Sequence, residues 1–239
     1  MRFFLTALLI SFFIHAHAQS DAQSEFENGF GVFSQEEINY KQCPFDKNAD
    51  AVVFFDKGIT NYDDERKMLT YKRVRMKILK EKGVAKGDLK IYYYSDNHFE
   101  SIRNIDAMVL STDDHNNQVI TRLNKNNIFD RKLNAYYSEI TIALPNIKPG
   151  SIIDYRYLSE KNNYGGLKNW IFQSDIPVLL SSYNLTIVPN HEFAYSVKKS
   201  PSLPIDIKTD ASEGRVSFTM KDIPGLRDEA YMGSEKDYL

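Results

Sequence analysis

The sequence predicts an all-β chain, an antiparallel two-sheet β-sandwich preceded by a short N-terminal helix, and three observations lead there. From Ala51 onward apolar residues recur with a period of two, the spacing that puts them on one face of a strand. Turn-forming clusters divide these runs at short, regular intervals, as expected of many short antiparallel strands. No long amphipathic helix competes for the core, and neither an internal repeat nor a low-complexity tract points to a solenoid or propeller.

The N-terminus has a different character. Met1-Arg2 precedes an apolar run from Phe3 to Ile14, broken only by Thr6 and Ser11, and then His15-Ala16-His17-Ala18. One basic residue, a run too short to cross about 30 Å of hydrocarbon, and a small-x-small pattern together read as a signal peptide for export, cleaved between Ala18 and Gln19. No cysteine at that point invites a lipid anchor, and the mature chain offers no apolar stretch long enough for a transmembrane segment. Residues 19–33, polar and without a sustained period, read as a flexible leader. Ser34, followed by Gln35, Glu36 and Glu37, has the form of a helix cap with acids in the first turn, which predicts a short helix over Gln35–Lys41 that Pro44 terminates. Residues 34–50 are thus a short helix and linker.

Strands follow. Ala51 to Phe55 is a short apolar run; in Tyr71 to Leu79, Val74, Met76 and Ile78 alternate with Arg73, Arg75 and Lys77. That basic face reads either as a solvated strand face or as a docking surface. The same alternation marks Ile140-Leu144, Ile153-Tyr157, Tyr183-Ile187 and Val216-Met220. Turns are expected at Glu81-Gly83, Asp113-Asn117, Pro149-Gly150, Tyr164-Gly166, Pro189-Asn190 and Glu213-Gly214. Pro177 cannot donate a ladder hydrogen bond and marks a strand break or an edge. Trp170 and Phe172, two apart on one strand, face the same way and anchor one end of the core, the alternative for Trp170 being a surface that stacks on a ligand.

Charge narrows the function. The 30 basic and 32 acidic residues become 29 and 32 once residues 1–18 are removed, a formal net charge of −3. Nucleic-acid binding is not expected, because displacing counterions from phosphates needs a basic excess. A single thiol, Cys43, allows no internal disulfide. Beyond the signal segment the histidines are His98, His115 and His191, far apart and without metal-ligand spacing, so neither a metal nor another cofactor is expected. Asp113-Asp114-His115-Asn116-Asn117 is oxygen-rich but lacks the spacing and closing glutamate of a calcium loop, and reads as a hairpin turn. There is no Gly-x-Ser-x-Gly elbow and no phosphate-binding glycine loop.

Two stretches carry a resemblance: Ala143-Leu-Pro-Asn-Ile-Lys-Pro-Gly-Ser-Ile-Ile-Asp-Tyr-Arg-Tyr157, and Trp170-Ile-Phe-Gln-Ser-Asp-Ile-Pro-Val178 running into Tyr183-Asn-Leu-Thr-Ile-Val-Pro189. With Ala51-Asp56, Arg73-Lys77 leading to Lys82-Gly83, and Asp222-Glu229, they resemble the domain of unknown function family 3857, DUF3857, over residues 51–229. The resemblance implies an exported bacterial protein of the periplasm or cell envelope, commonly with a transglutaminase-like domain downstream. It implies a non-catalytic module that packs against or presents such a domain in cis, with residues 230–239 a truncated linker toward it. A transglutaminase-like site needs a thiolate, a histidine and an orienting acid, whereas Cys43 lies in Lys-Gln-Cys-Pro-Phe, outside any such motif, so the chain is expected not to be an enzyme. The remaining enzyme reading pairs Cys43 with His98 or His191.

The tyrosine clusters supply the candidate binding surface: Tyr92, Tyr93 and Tyr94, and Tyr136 and Tyr137. Consecutive strand residues point to opposite faces, so part of each cluster must be exposed or lie at an interface. They read as contacts for glycan or peptide in an independent cell-envelope binding module, or as ordinary half-buried strand tyrosines.

Overall fold

A computed structural model of the chain describes residues 24, 26–162, 167–187 and 193–226. The proposed signal segment and cleavage site, residues 230–239, His191 and the turns at 164–166 and 189–190 lie outside the described residues. A short helix, α1 (Gln35–Asn39), precedes eleven described strands: β1 (Ala51–Tyr62), β2 (Met68–Ile78), β3 (Asp88–Tyr94), β4 (Glu100–Thr112), β5 (Gln118–Arg122), β6 (Ile128–Lys132), β7 (Tyr137–Ala143), β8 (Ile152–Lys161), β9 (Val178–Thr186), β10 (Asp206–Asp210) and β11 (Arg215–Ile223). Among the described residues the chain is thus mostly β, its strands in two sheets and α1 a short helix before them.

The larger sheet has eight strands in the order β10-β11-β9-β1-β2-β8-β4-β5, and the smaller has three, β3-β7-β6. One pairing departs from an antiparallel reading: β1 runs parallel to β9, with Val53 opposite Val178 and Thr60 opposite Leu185. β1 reaches β9 only after the chain has built β2 to β8, and so long a crossover permits a parallel neighbour that a tight hairpin cannot make. Period-two patterning shows which face a residue takes, not the direction of the strand beside it.

Side-chain alternation makes the two faces of the large sheet chemically different. Its inner face carries Val53, Val74, Met76, Val109 and Ile153, which meet Leu89, Ile91, Ile140 and Ile142 of the small sheet in one buried cluster. A further inner-face cluster, Tyr183, Leu185, Val216 and Phe218, is covered by Trp170, Phe172 and Phe193 from the connections. Burial of each such side chain is worth about 1.5–3 kcal/mol.

The turns use the residues that their geometry requires. Gly150 takes φ 91 between β7 and β8, and its amide donates to the Ile78 carbonyl at 2.8 Å. Asp113 Oδ1 accepts from the amides of His115 and Asn117 at 2.8 Å each, and Asn116 is left-handed at φ 63, so the oxygen-rich stretch closes the β4-β5 hairpin. Pro177 immediately precedes β9, where its carbonyl accepts from Val53.

α1 has the expected cap. Ser34 Oγ accepts from the Glu37 amide while the Glu37 carboxylate accepts from the Ser34 amide, a complete capping box. The helix ends at Asn39, earlier than Lys41, where Tyr40 turns to extended backbone.

Candidate functional surface

β3 and β7 pair with Tyr92 opposite Glu139 and Tyr94 opposite Tyr137, and β6 sets Arg131 opposite Glu139 and Phe129 opposite Thr141. Directly paired residues share a face, so the outer face of the small sheet gathers Tyr92, Tyr94, Tyr137, Glu139, Phe129 and Arg131. Tyr93 points the other way, is buried, and donates from its hydroxyl to Asp130 at 2.7 Å. The two clusters therefore meet in space but do not act alike: Tyr92 and Tyr136 are each 55% exposed and Tyr137 46%, whereas Tyr93 belongs to the core.

Tyr94 is the centre of the outer group. It stacks on Tyr136 with ring centroids 6.2 Å apart, and meets Tyr137 edge-on at 5.3 Å and Phe99 edge-on at 5.7 Å. Each such pair adds about 0.5–1.5 kcal/mol beyond area burial, enough to hold the rings in place. Phe129, also 55% exposed, extends the aromatic surface across β6, a member that composition did not single out because its strand is short and polar. Beneath the rings Glu139 is buried and takes hydrogen bonds from Tyr92 and Arg131, the latter at 3.0 Å. The Tyr92 contact, then Arg131 and Lys90, hold its carboxyl below the ordinary value against the opposing effect of burial. The same contact raises the Tyr92 hydroxyl, so both groups keep their ordinary charge states near neutral pH.

The basic face of β2 is neither solvated nor free. Asp154 on β8, fully buried, accepts from Arg73 Nε at 3.1 Å, Arg73 Nη2 at 3.0 Å, Arg75 Nη2 at 2.6 Å and the Gly31 amide at 3.0 Å. Arg75 Nη1 reaches both Glu37 oxygens at 2.9 Å, and Lys77 Nζ donates to the carbonyls of Glu37 and Ile38 at 2.9 and 2.6 Å. Phe55, Phe30 and Phe33 lie over the guanidinium groups. This face is covered by the chain's own N-terminal segment, whose Phe26 is also buried against Tyr71. The signal available in sequence was Asp154 itself, an acid in an alternating apolar strand that falls directly opposite Arg75.

Trp170 sits on the extended connection before β9, not on a strand, and plays a structural part. Its indole stacks on Tyr183 at 4.9 Å, donates to Ser181 Oγ at 3.1 Å and carries the Lys72 ammonium 4.4 Å from its ring. Gly58 makes room for it, since a Cβ there would overlap the indole. Lys72 also bonds Asp56 at 3.1 Å; burial disfavours the ammonium, but Asp56 outweighs that and raises its pKa.

Cys43 is fully buried, while His98 and His115 are exposed. Among the described residues no three His, Cys, Asp or Glu side chains are grouped to hold a metal ion, and no helix is long and apolar enough to cross a membrane.

The sequence profile of the Domain of Unknown Function with solved-structure structure (DUF3857) matches residues 65–227. The chain belongs to the DUF3857 family. No curated protein matches this DUF3857 chain. Among solved structures it is similar to a candidate protease from Parabacteroides distasonis, with 14% identity and a TM-score of 0.64 over 77% of this chain and 38% of that one. That likeness is one of fold, and the DUF3857 chain spans less than two fifths of the other protein's length. A likeness to native yeast LTA4 hydrolase, at 8% identity over 72% of this chain and 29% of that one, has a TM-score of 0.32 and carries no argument.

Proposed function

We propose that this chain is a non-catalytic β module of an exported bacterial protein that packs, through the outer face of β3-β7-β6, against a transglutaminase-like domain in cis. The observation that carries this reading is the aromatic surface of Tyr92, Phe129, Tyr136 and Tyr137, exposed on a sheet whose other face packs Leu89, Ile91, Ile140 and Ile142 into the core. Contiguous exposed aromatic surface marks an interaction site, and rings already fixed by mutual stacking lose little side-chain entropy when covered. That a fold neighbour more than twice the length is a candidate protease supports a module set beside a domain that acts on peptides. The buried thiol supports a supporting role rather than catalysis, because a nucleophilic cysteine needs access and a nearby base. Export to the periplasm or cell envelope rests on residues 1–18.

The test is the reading frame after the codon for Leu239. Continuation into a domain that carries a cysteine, a histidine and an aspartate is the expected result, and a stop codon there overturns the packing role. The stacked Tyr94 and Tyr136 favour a second reading, in which the same face holds a glycan or peptide, and a glycan and peptide array probed with the purified chain separates the two.

A further inference from the structure

A cleft beside the β5-β6 connection lies apart from the exposed tyrosines. Where β4 pairs with β8 the register shifts between Arg103 and Asp106, and Asn104 takes φ 51, a left-handed conformation. Such bulges re-aim side chains and are over-represented beside binding sites. A cavity of about 400 Å³ opens there, between the N-terminal segment, the bulge and the β5-β6 connection. Its lining is mixed, with apolar Phe26, Ile105 and Leu123 beside charged Arg122, Arg156 and Asp106.

Arg156 is poised but unsatisfied. Its guanidinium lies 4.0 Å from the Phe30 ring centre and 5.2 Å from that of Phe26, its Nη2 stands 3.7 Å from Asp106 Oδ2, and its Nη1 is buried with no hydrogen-bond partner among the described residues. Arg122 Nη2 approaches the same Asp106 oxygen at 3.7 Å. Charge-assisted hydrogen bonds are normally about 2.7–2.9 Å long, so Asp106 orients both arginines without saturating either. A guanidinium has five donors and no acceptor, so whatever completes the site brings acceptor oxygens. Lys125 joins the arginines around the cavity, giving three cations against the two carboxylates of Asp106 and Glu27. A planar carboxylate matches the guanidinium fork better than a hydroxyl does, and the apolar side chains in the lining suit a hydrocarbon group beside it.

We infer that this cleft binds a carboxylate bearing an apolar substituent, as at the C-terminus of a peptide that ends in an apolar residue. The carboxylate is the shared chemistry; a free branched carboxylic acid is the other source. The experiment is calorimetric titration of the purified full chain with acetyl-alanyl-leucine, with its C-terminal amide and with 4-methylpentanoate. The dipeptide acid binds saturably, and its amide binds at least about tenfold more weakly. Arg122→Gln weakens the acid about tenfold and leaves the thermal transition in place, because the Arg122 side chain is 63% exposed. Binding of 4-methylpentanoate as tight as that of the dipeptide upholds the carboxylate site and assigns it to small acids, whereas much weaker binding assigns it to peptide termini. Equal binding of acid and amide, no saturable binding of either acid, or an Arg122→Gln variant with unchanged affinity overturns the inference.

Discussion

Replacing Asp154 by Asn tests the buried network that fastens the N-terminal segment to the large sheet. The substitution keeps the shape and removes the charge. In the native protein four donors converge on this carboxylate, three from Arg73 and Arg75 and one from the Gly31 amide. An amide has one oxygen, and its NH₂ group must face a guanidinium or the Gly31 N–H, so at least one donor is left opposite another. Each of these arginine side chains is less than a tenth exposed; among the described residues Arg75 then keeps Glu37 as its close carboxylate, whereas Arg73 is left with the carbonyls of Asn28 and Gly29. Removing one partner of such a buried set costs about 3–5 kcal/mol, a large share of the roughly 5–15 kcal/mol that stabilises a typical domain. The assay is urea unfolding with and without added salt. The expected midpoint falls by the equivalent of that loss with the slope unchanged, and salt does not restore it, because a buried pair is poorly screened. Glu37→Gln, which removes a more exposed carboxylate, costs less. A loss of under about 1 kcal/mol for Asp154→Asn refutes the reasoning, because it means that water or other groups reach these arginines.

Other predictions concern separate parts of the molecule. Burial works against the ionised Glu100 carboxyl, but Lys168, the Tyr94 amide and the Ser159 hydroxyl outweigh it and hold its pKa below the ordinary 4.5. A depressed carboxyl contributes stability above the unfolded-state value that is lost as pH falls through the folded one, so Glu100→Gln has a flatter acid limb below about pH 4.5 in urea titrations; parallel limbs contradict this. Cys43 is fully buried, so a thiol reagent labels it only on unfolding, and rapid native labelling would revive the thiol-enzyme reading. Gly58→Ala drives a methyl group into Trp170, lowers stability by about 1–3 kcal/mol and shifts the emission of the chain's single tryptophan; unchanged fluorescence and stability argue against the packing described.

The fold was legible where a residue's position depends on its immediate neighbours. The alternation of Val74, Met76 and Ile78, the capping box at Ser34 and Glu37, and the turns at Gly150 and Asp113 are all written within a few residues of one another. Parallel pairing of β1 with β9 was not, because it depends on a crossover through most of the chain. The burial of Arg73, Arg75 and Lys77 was hidden for the same reason: their partners, Asp154 and the segment around Gly29 to Ile38, are 38 or more residues away in sequence. The spacing of Trp170 and Phe172 points to packing against the core but not to the kind of backbone, since two aromatic residues at spacing two look alike in a strand and in an extended connection. The tyrosines of the candidate surface could be named from sequence, but only the β3-β7-β6 register separates Tyr93, which faces inward, from Tyr92 and Tyr94 and adds Phe129.

The central claim is that the outer face of β3-β7-β6 is covered by a partner domain in the working protein. Hydroxyl-radical footprinting of Tyr92, Tyr136 and Tyr137, in the purified chain and in intact cells that make the protein, tests it most directly. The account predicts strong modification of all three in the purified chain and protection of all three in the cell, with the exposed Tyr195 modified in both as the internal reference. Equal modification of the three tyrosines in both settings would contradict it.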